Sequence, residues 1–98
     1  MMGFRLNCSL EGMEYRGKRD GVSKKTGKPW MSLVLEDANA EQLVVSVPGD
    51  MLPEVQGLSL FKGDMLDLDV RAVAYDGEDG GSYIQLLALP RVLDKAGF

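Results

Sequence analysis

Histidine is absent from this 98-residue chain, and with it go the commonest general base and the commonest metal ligand. The single cysteine, Cys8, excludes an intramolecular disulfide and fits a reducing compartment. Its place in an alternating apolar segment predicts a small core residue. Long hydrophobic runs are missing too, none exceeding the four residues of Leu86-Leu87-Ala88-Leu89, far short of a transmembrane helix or a secretory signal. A soluble, cytoplasmic protein with no membrane partner is expected. Without histidine, and with carboxylates gathered on turns and one strand face, no nucleophile–base pair is apparent, so neither an enzyme nor a small-molecule substrate is expected. Asp67 and Asp69 share a strand face, but solvated surface explains them, and no metal or cofactor is assigned.

What is present fits one small domain over 1–98, since 45% hydrophobic residues in a chain of this length supply one core and not two. Net charge is −4, but the average conceals a division along the chain. Residues 1–30 carry seven Lys/Arg against three Asp/Glu, a net of +4; residues 31–98 carry four against twelve, a net of −8. A phosphate-binding protein needs a local basic surface, not a basic total. That surface is concentrated in Arg16 to Trp30, where six cations, three glycines and an indole lie within fifteen residues.

Period-two alternation dominates the remainder. Phe4, Leu6, Cys8 and Leu10 mark an N-terminal strand or arm over 1–10. From Met13 to Arg19, Met13, Tyr15 and Gly17 alternate with Glu14, Arg16 and Lys18, which predicts cations on the face opposite the apolar residues. Val22 to Lys28 reads as a hairpin tip, with Gly27 able to take positive φ, and Trp30 to Leu35 as the return strand. A third strand over 42–47 stops at Pro48. Two prolines and two glycines between 48 and 61 allow at most a turn or two of helix near 52–57. A fourth strand follows over 65–75, then an acidic turn at 76–81, a last strand over 82–89, and a tail over 91–98.

Five strands, a long first hairpin and at most a short helix between strands three and four resemble an all-β, five-stranded OB-fold barrel. Such barrels bind ligand on strands two and three and on the loops joining strands one to two and four to five. Those loops fall at 20–28, which is basic, and 76–81, which is acidic. In single-strand binding, cations follow the backbone while aromatic faces stack on bases. The candidate nucleic-acid-binding residues are therefore Arg16, Lys18 and Arg19 on the first strand, Lys24, Lys25 and Lys28 at the tip, Trp30 on the return strand, and Tyr75 at the end of strand four. Each cation taken singly fits a solvated surface, and Trp30 fits either the core or a stacking position at the barrel mouth.

The segment Arg19-Asp20-Gly21-Val22-Ser23-Lys24-Lys25-Thr26-Gly27-Lys28-Pro29-Trp30 resembles the DNA-binding hairpin of the gene-five type single-stranded DNA-binding proteins of filamentous bacteriophage. It differs by one extra residue before Gly27, and the last strand lacks that family's basic residue. The resemblance implies an OB-fold homodimer that coats single-stranded DNA without sequence preference during phage or mobile-element DNA replication, in the host cytoplasm. It further implies phosphate contacts from Arg19, Lys24 and Lys28, with Trp30 in place of a stacking tyrosine. RNA is admitted by the same chemistry. The apolar strand Ile84 to Leu89 offers either a dimer surface or monomer core. The competing reading is a protein-interaction module that docks through Asp64, Asp67, Asp69 and the 76–79 turn.

Overall fold

In the computed structural model, residues 3–75 and 81–95 are described, apart from the side chains of Phe4 and Tyr75. The strands are β1 (Gly3–Val22), β2 (Pro29–Glu36), β3 (Gln42–Val47), β4 (Met65–Tyr75), β5 (Ser82–Leu86) and β6 (Arg91–Asp94). A 3-10 turn (Gly49–Met51) leads into the one-turn helix α1 (Leu52–Gln56). Neighbours run β1-β2-β3-β5-β4, and β4 pairs back with β1, closing the five-stranded barrel that the order of segments predicts. Among the described residues only the β3–β5 contact is parallel.

β1 is the element that makes closure possible. Twenty residues of straight strand would reach about 66 Å, whereas the longest dimension of the molecule is 47 Å. The strand bends instead at two bulges, one between Leu10 and Met13 and one between Tyr15 and Gly17. Each carries a glycine at positive φ, Gly12 at 63° and Gly17 at 136°, a geometry that side chains resist. The N-terminal half of β1 therefore bonds β4, and the C-terminal half turns away to bond β2.

Alternation on the barrel strands then fills the interior. Met31, Leu33 and Leu35 of β2 meet Val45 and Val47 of β3, Leu66, Leu68 and Val70 of β4, and Leu86 of β5. Leu52 and Val55 of α1 close one end, and Pro53 and Gly57 hold the helix to the single turn that the sequence allows. Ile84 packs against this cluster and Leu86 lies within it, so that part of β5 is monomer core and not a dimer surface.

Three expectations need correction. Cys8 is exposed, and Leu6 beside it is 58% exposed, because this half of β1 pairs with β4 beyond the covered part of the barrel. The last strand is shorter than expected, ending at Leu86. The presumed tail contributes β6, which pairs with β4 through Leu66↔Val92 and Asp67↔Arg91 and is fastened by an ion pair between the last two side chains. Of the acidic turn expected over 76–81, residues 76–80 lie outside the described residues.

Candidate nucleic-acid interface

The hairpin tip is built as its sequence directs. The Ser23 N–H donates to Lys28 O at 2.9 Å and the Gly27 N–H to Ser23 O at 2.8 Å, with Gly27 at φ 70° completing the reversal. Thr26 and Ser23 hydroxyls accept further backbone N–H bonds at 3.3 and 3.4 Å. Lys24, Lys25 and Lys28 are thereby carried on an ordered loop with their side chains exposed.

Register decides which way the remaining candidates point, because directly opposed residues share a face. Gly21 opposes Trp30 and Arg19 opposes Ser32, all on the outer surface, whereas Lys18 opposes the buried Leu33. The expected face for Lys18 is thus wrong. The bulge at Arg16 inserts a residue, so the alternation reverses between Arg16 and Lys18. Lys18 lies on the inward side at the barrel end, lining a cavity of about 80 Å³ with Tyr15, Leu33 and Val55. Burial there pushes the Tyr15 phenol above its ordinary value.

Trp30 is no core residue: 44% of it is exposed. Its indole lies over Gly21, where a Cβ would come within 3.1 Å of Nε1 and Cζ2. Gly21 takes no positive φ, so the reason for glycine here is room for the ring. The ring is thus steadied on one strand while presenting surface to solvent.

Ion pairing sorts the cations. Arg16 is held by Glu14 and lies 3.8 Å from Glu36, and the Glu14 hydrogen bond is the main cause that raises the guanidinium's pKa further. Lys18 pairs with Asp20 at 3.3 Å. Among the described residues, Arg19, Lys24, Lys25 and Lys28 have no ion-pair partner. The structure therefore brings these four and Trp30 onto one hairpin and sets Arg16 and Lys18 apart as neutralised. Tyr75 ends β4 opposite Gly3, and its side chain lies outside the described residues.

The acidic residues of the competing reading are engaged internally. Asp64 is 0% exposed, accepts the Phe61 N–H at 2.9 Å and pairs with Lys95 at 3.4 Å. Lys95 also lies 4.9 Å from the centroid of the Phe61 ring. Asp67 accepts from Arg91 and from the Gly12 N–H, and Asp69 accepts the Ser9 hydroxyl at 2.7 Å. Among the described residues no cluster of three or more metal-ligating side chains occurs.

Solved structures of the mitochondrial single-stranded DNA-binding protein Rim1 from S. cerevisiae share this architecture. One crystal form gives a TM-score of 0.67 at 13% identity, covering 93% of this chain and 98% of that chain. A second form gives 0.62 at 12% identity, covering 94% and 97%. This chain folds as an OB barrel. No family model and no curated protein matches its sequence. In the OB barrel, the hairpin with Trp30 is the loop joining strands one and two, one of the two ligand-binding loops of this architecture.

The sequence pointed to every cation of the hairpin but could not separate paired from unpaired ones. The signal for the reversal was present, since a glycine inside a strand pattern marks a bulge. Tyr83 of the outer surface was a candidate for stacking or packing alike, whereas Arg71 and Arg5 were not among the candidate binding residues.

Proposed function

We propose that this protein binds single-stranded DNA without catalysis and with little sequence preference. The observation that carries the reading is Trp30, laid over Gly21 and 44% exposed, on the same hairpin as four cations that have no ion-pair partner among the described residues. Stacking and phosphate contact need no base-edge hydrogen bonds, so the arrangement reads strandedness and not sequence. The fold shared with Rim1, a single-stranded DNA-binding protein, supports the same reading, as does the hairpin's resemblance to the gene-five type proteins. Coating of phage or mobile-element DNA during replication, and a cytoplasmic setting, belong to this proposal. The internal pairing of Asp64, Asp67 and Asp69 argues against the acidic docking module.

Self-association belongs to the same proposal. β2 joins β1 only from Glu14 onward, so one edge of residues 3–12 carries no strand among the described residues, and Leu6 there is 58% exposed. An unpaired edge of this length favours antiparallel addition of the same strand from a second copy. Sedimentation of the wild type should give a dimer, and Leu6→Asp a monomer.

The DNA-binding reading is tested by fluorescence anisotropy of labelled poly-dT. Arg19→Ala with Lys24→Ala should lose binding at moderate salt with the fold intact by circular dichroism. Affinity unchanged by the double substitution would refute the hairpin assignment.

A further inference from the structure

The outward side chains form a continuous row around the barrel. Arg19 opposes Ser32, Ser32 opposes Ser46, Ser46 lies beside Gln85, Gln85 opposes Arg71, and Arg71 opposes Asn7. Having left β1 at residue 19, the row returns to β1 at residue 7, twelve positions earlier, so it winds once round the molecule. Arg19 and Arg71 bracket three neutral hydrogen-bonding side chains, Ser32, Ser46 and Gln85, and the row ends on Asn7. None of the six is buried.

Arg71 has no ion-pair partner among the described residues; its Nε donates to Asn7 Oδ1 at 3.3 Å. The acid two residues earlier, Asp69, takes the Ser9 hydroxyl instead. Beside this row runs a second one. Val34 opposes Val44, one step before the Val45–Ile84 contact brings Val44 next to Tyr83, and Tyr83 opposes Val73, which opposes Arg5. Val44, Val73 and Tyr83 line a shallow cavity of about 310 Å³, and Tyr83 is 40% exposed. An aromatic face flanked by Arg71 and Arg5 repeats the chemistry of Trp30 flanked by Arg19 and Lys28.

We propose that the outer face of β4 and β5, through Arg71, Arg5 and Tyr83, is a second contact surface for the same nucleic-acid strand, reached from Trp30 by crossing β3. The inference rests on the single-strand-binding reading and extends it. From β2 to β4 the crossing takes three strand steps, about 15 Å. The strand runs across the barrel strands instead of ending at the hairpin, and the polar row supplies hydrogen bonds to its backbone on the way.

Oligonucleotide length separates the two surfaces. A thymidine oligomer of about 4 nucleotides occupies one surface and one of about 16 spans both, the range that single OB barrels cover. Arg5→Gln with Arg71→Gln should lower the salt slope on the long oligomer by about 1.4 and weaken its binding at 0.1 M salt by about 25-fold relative to 1 M. Binding of the short oligomer at the hairpin should stay at the wild-type level. Arg5→Lys with Arg71→Lys, which keeps both charges, should keep the slope, and Tyr83→Leu should weaken only the long oligomer. If the double glutamine variant binds the long oligomer with wild-type affinity and slope while Arg19→Ala with Lys24→Ala is weakened, the hairpin site stands and the second surface is refuted. If the wild type binds neither oligomer at low salt, the single-strand-binding reading itself fails.

Discussion

In the proposed site, ion pairing and not charge alone should decide which cations meet phosphate. Arg19, Lys24, Lys25 and Lys28 have no ion-pair partner among the described residues, so a short oligonucleotide seated on the proposed site should displace about four counterions. At about 0.7 per contact the slope of log K against log salt is about −2.8, and affinity should fall about 50-fold between 50 and 200 mM salt. Arg19→Gln with Lys24→Gln halves the slope to about −1.4, leaving a fall of about sevenfold. Arg16 is neutralised by Glu14 and Lys18 by Asp20. Removing each pair as a unit, with Glu14→Gln plus Arg16→Gln or Lys18→Gln plus Asp20→Asn, should leave the slope at its wild-type value. Anisotropy titrations over that salt range read the slope directly, independent of small differences in active fraction. A pair-deleted variant that lost slope as Arg19→Gln does would refute the claim that ion pairing selects the working cations.

Trp30→Ala should weaken binding by about 5- to 150-fold, the equivalent of about 1–3 kcal/mol of stacking. Gly21→Val should reproduce part of that loss without lowering the melting temperature much, because the new side chain meets the indole at 3.1 Å on a backbone that accepts it. The Asp67 carboxyl should titrate below the ordinary 3.8, held down by Arg91 and then by the Gly12 N–H. A lowered native value means stability that is present above the unfolded value and lost as pH falls through the native one. Followed by carbon-detected NMR, Arg91→Ala should move that titration back up and acid unfolding to higher pH. In the core, Leu35→Ala should cost about 2–5 kcal/mol in urea unfolding, since Leu35 is wholly buried. Ala40→Gly should instead stabilise by about 0.5 kcal/mol, because Ala40 sits at φ 63° where glycine is unstrained.

The parts of this molecule visible in its sequence are those fixed by local chemistry. Alternation of Met31, Leu33 and Leu35, the glycine reversal at Gly27, the stop at Pro48 and the single turn of α1 all follow from neighbours in the chain. What was hidden depends on partners far away in sequence. Leu6 and Cys8 alternate like core residues, and only the course of β1 past the covered part of the barrel leaves them exposed. β6 is four residues long and is defined by its pairing with β4, where Leu66 meets Val92 and Asp67 meets Arg91. The outward row from Arg19 to Arg71 is set by registers on five strands, which no single segment encodes. The face of Lys18 turned on one inserted residue, since a bulge reverses every side chain beyond it.

The chain has a single tryptophan, so its indole emission reports Trp30 alone. Titration of the protein with unlabelled poly-dT at low salt, followed by that emission, tests the central claim most directly. Quenching that saturates with oligonucleotide and reverses as salt is raised is the predicted result. Emission that stays constant at saturating oligonucleotide would contradict a stacking site at Trp30.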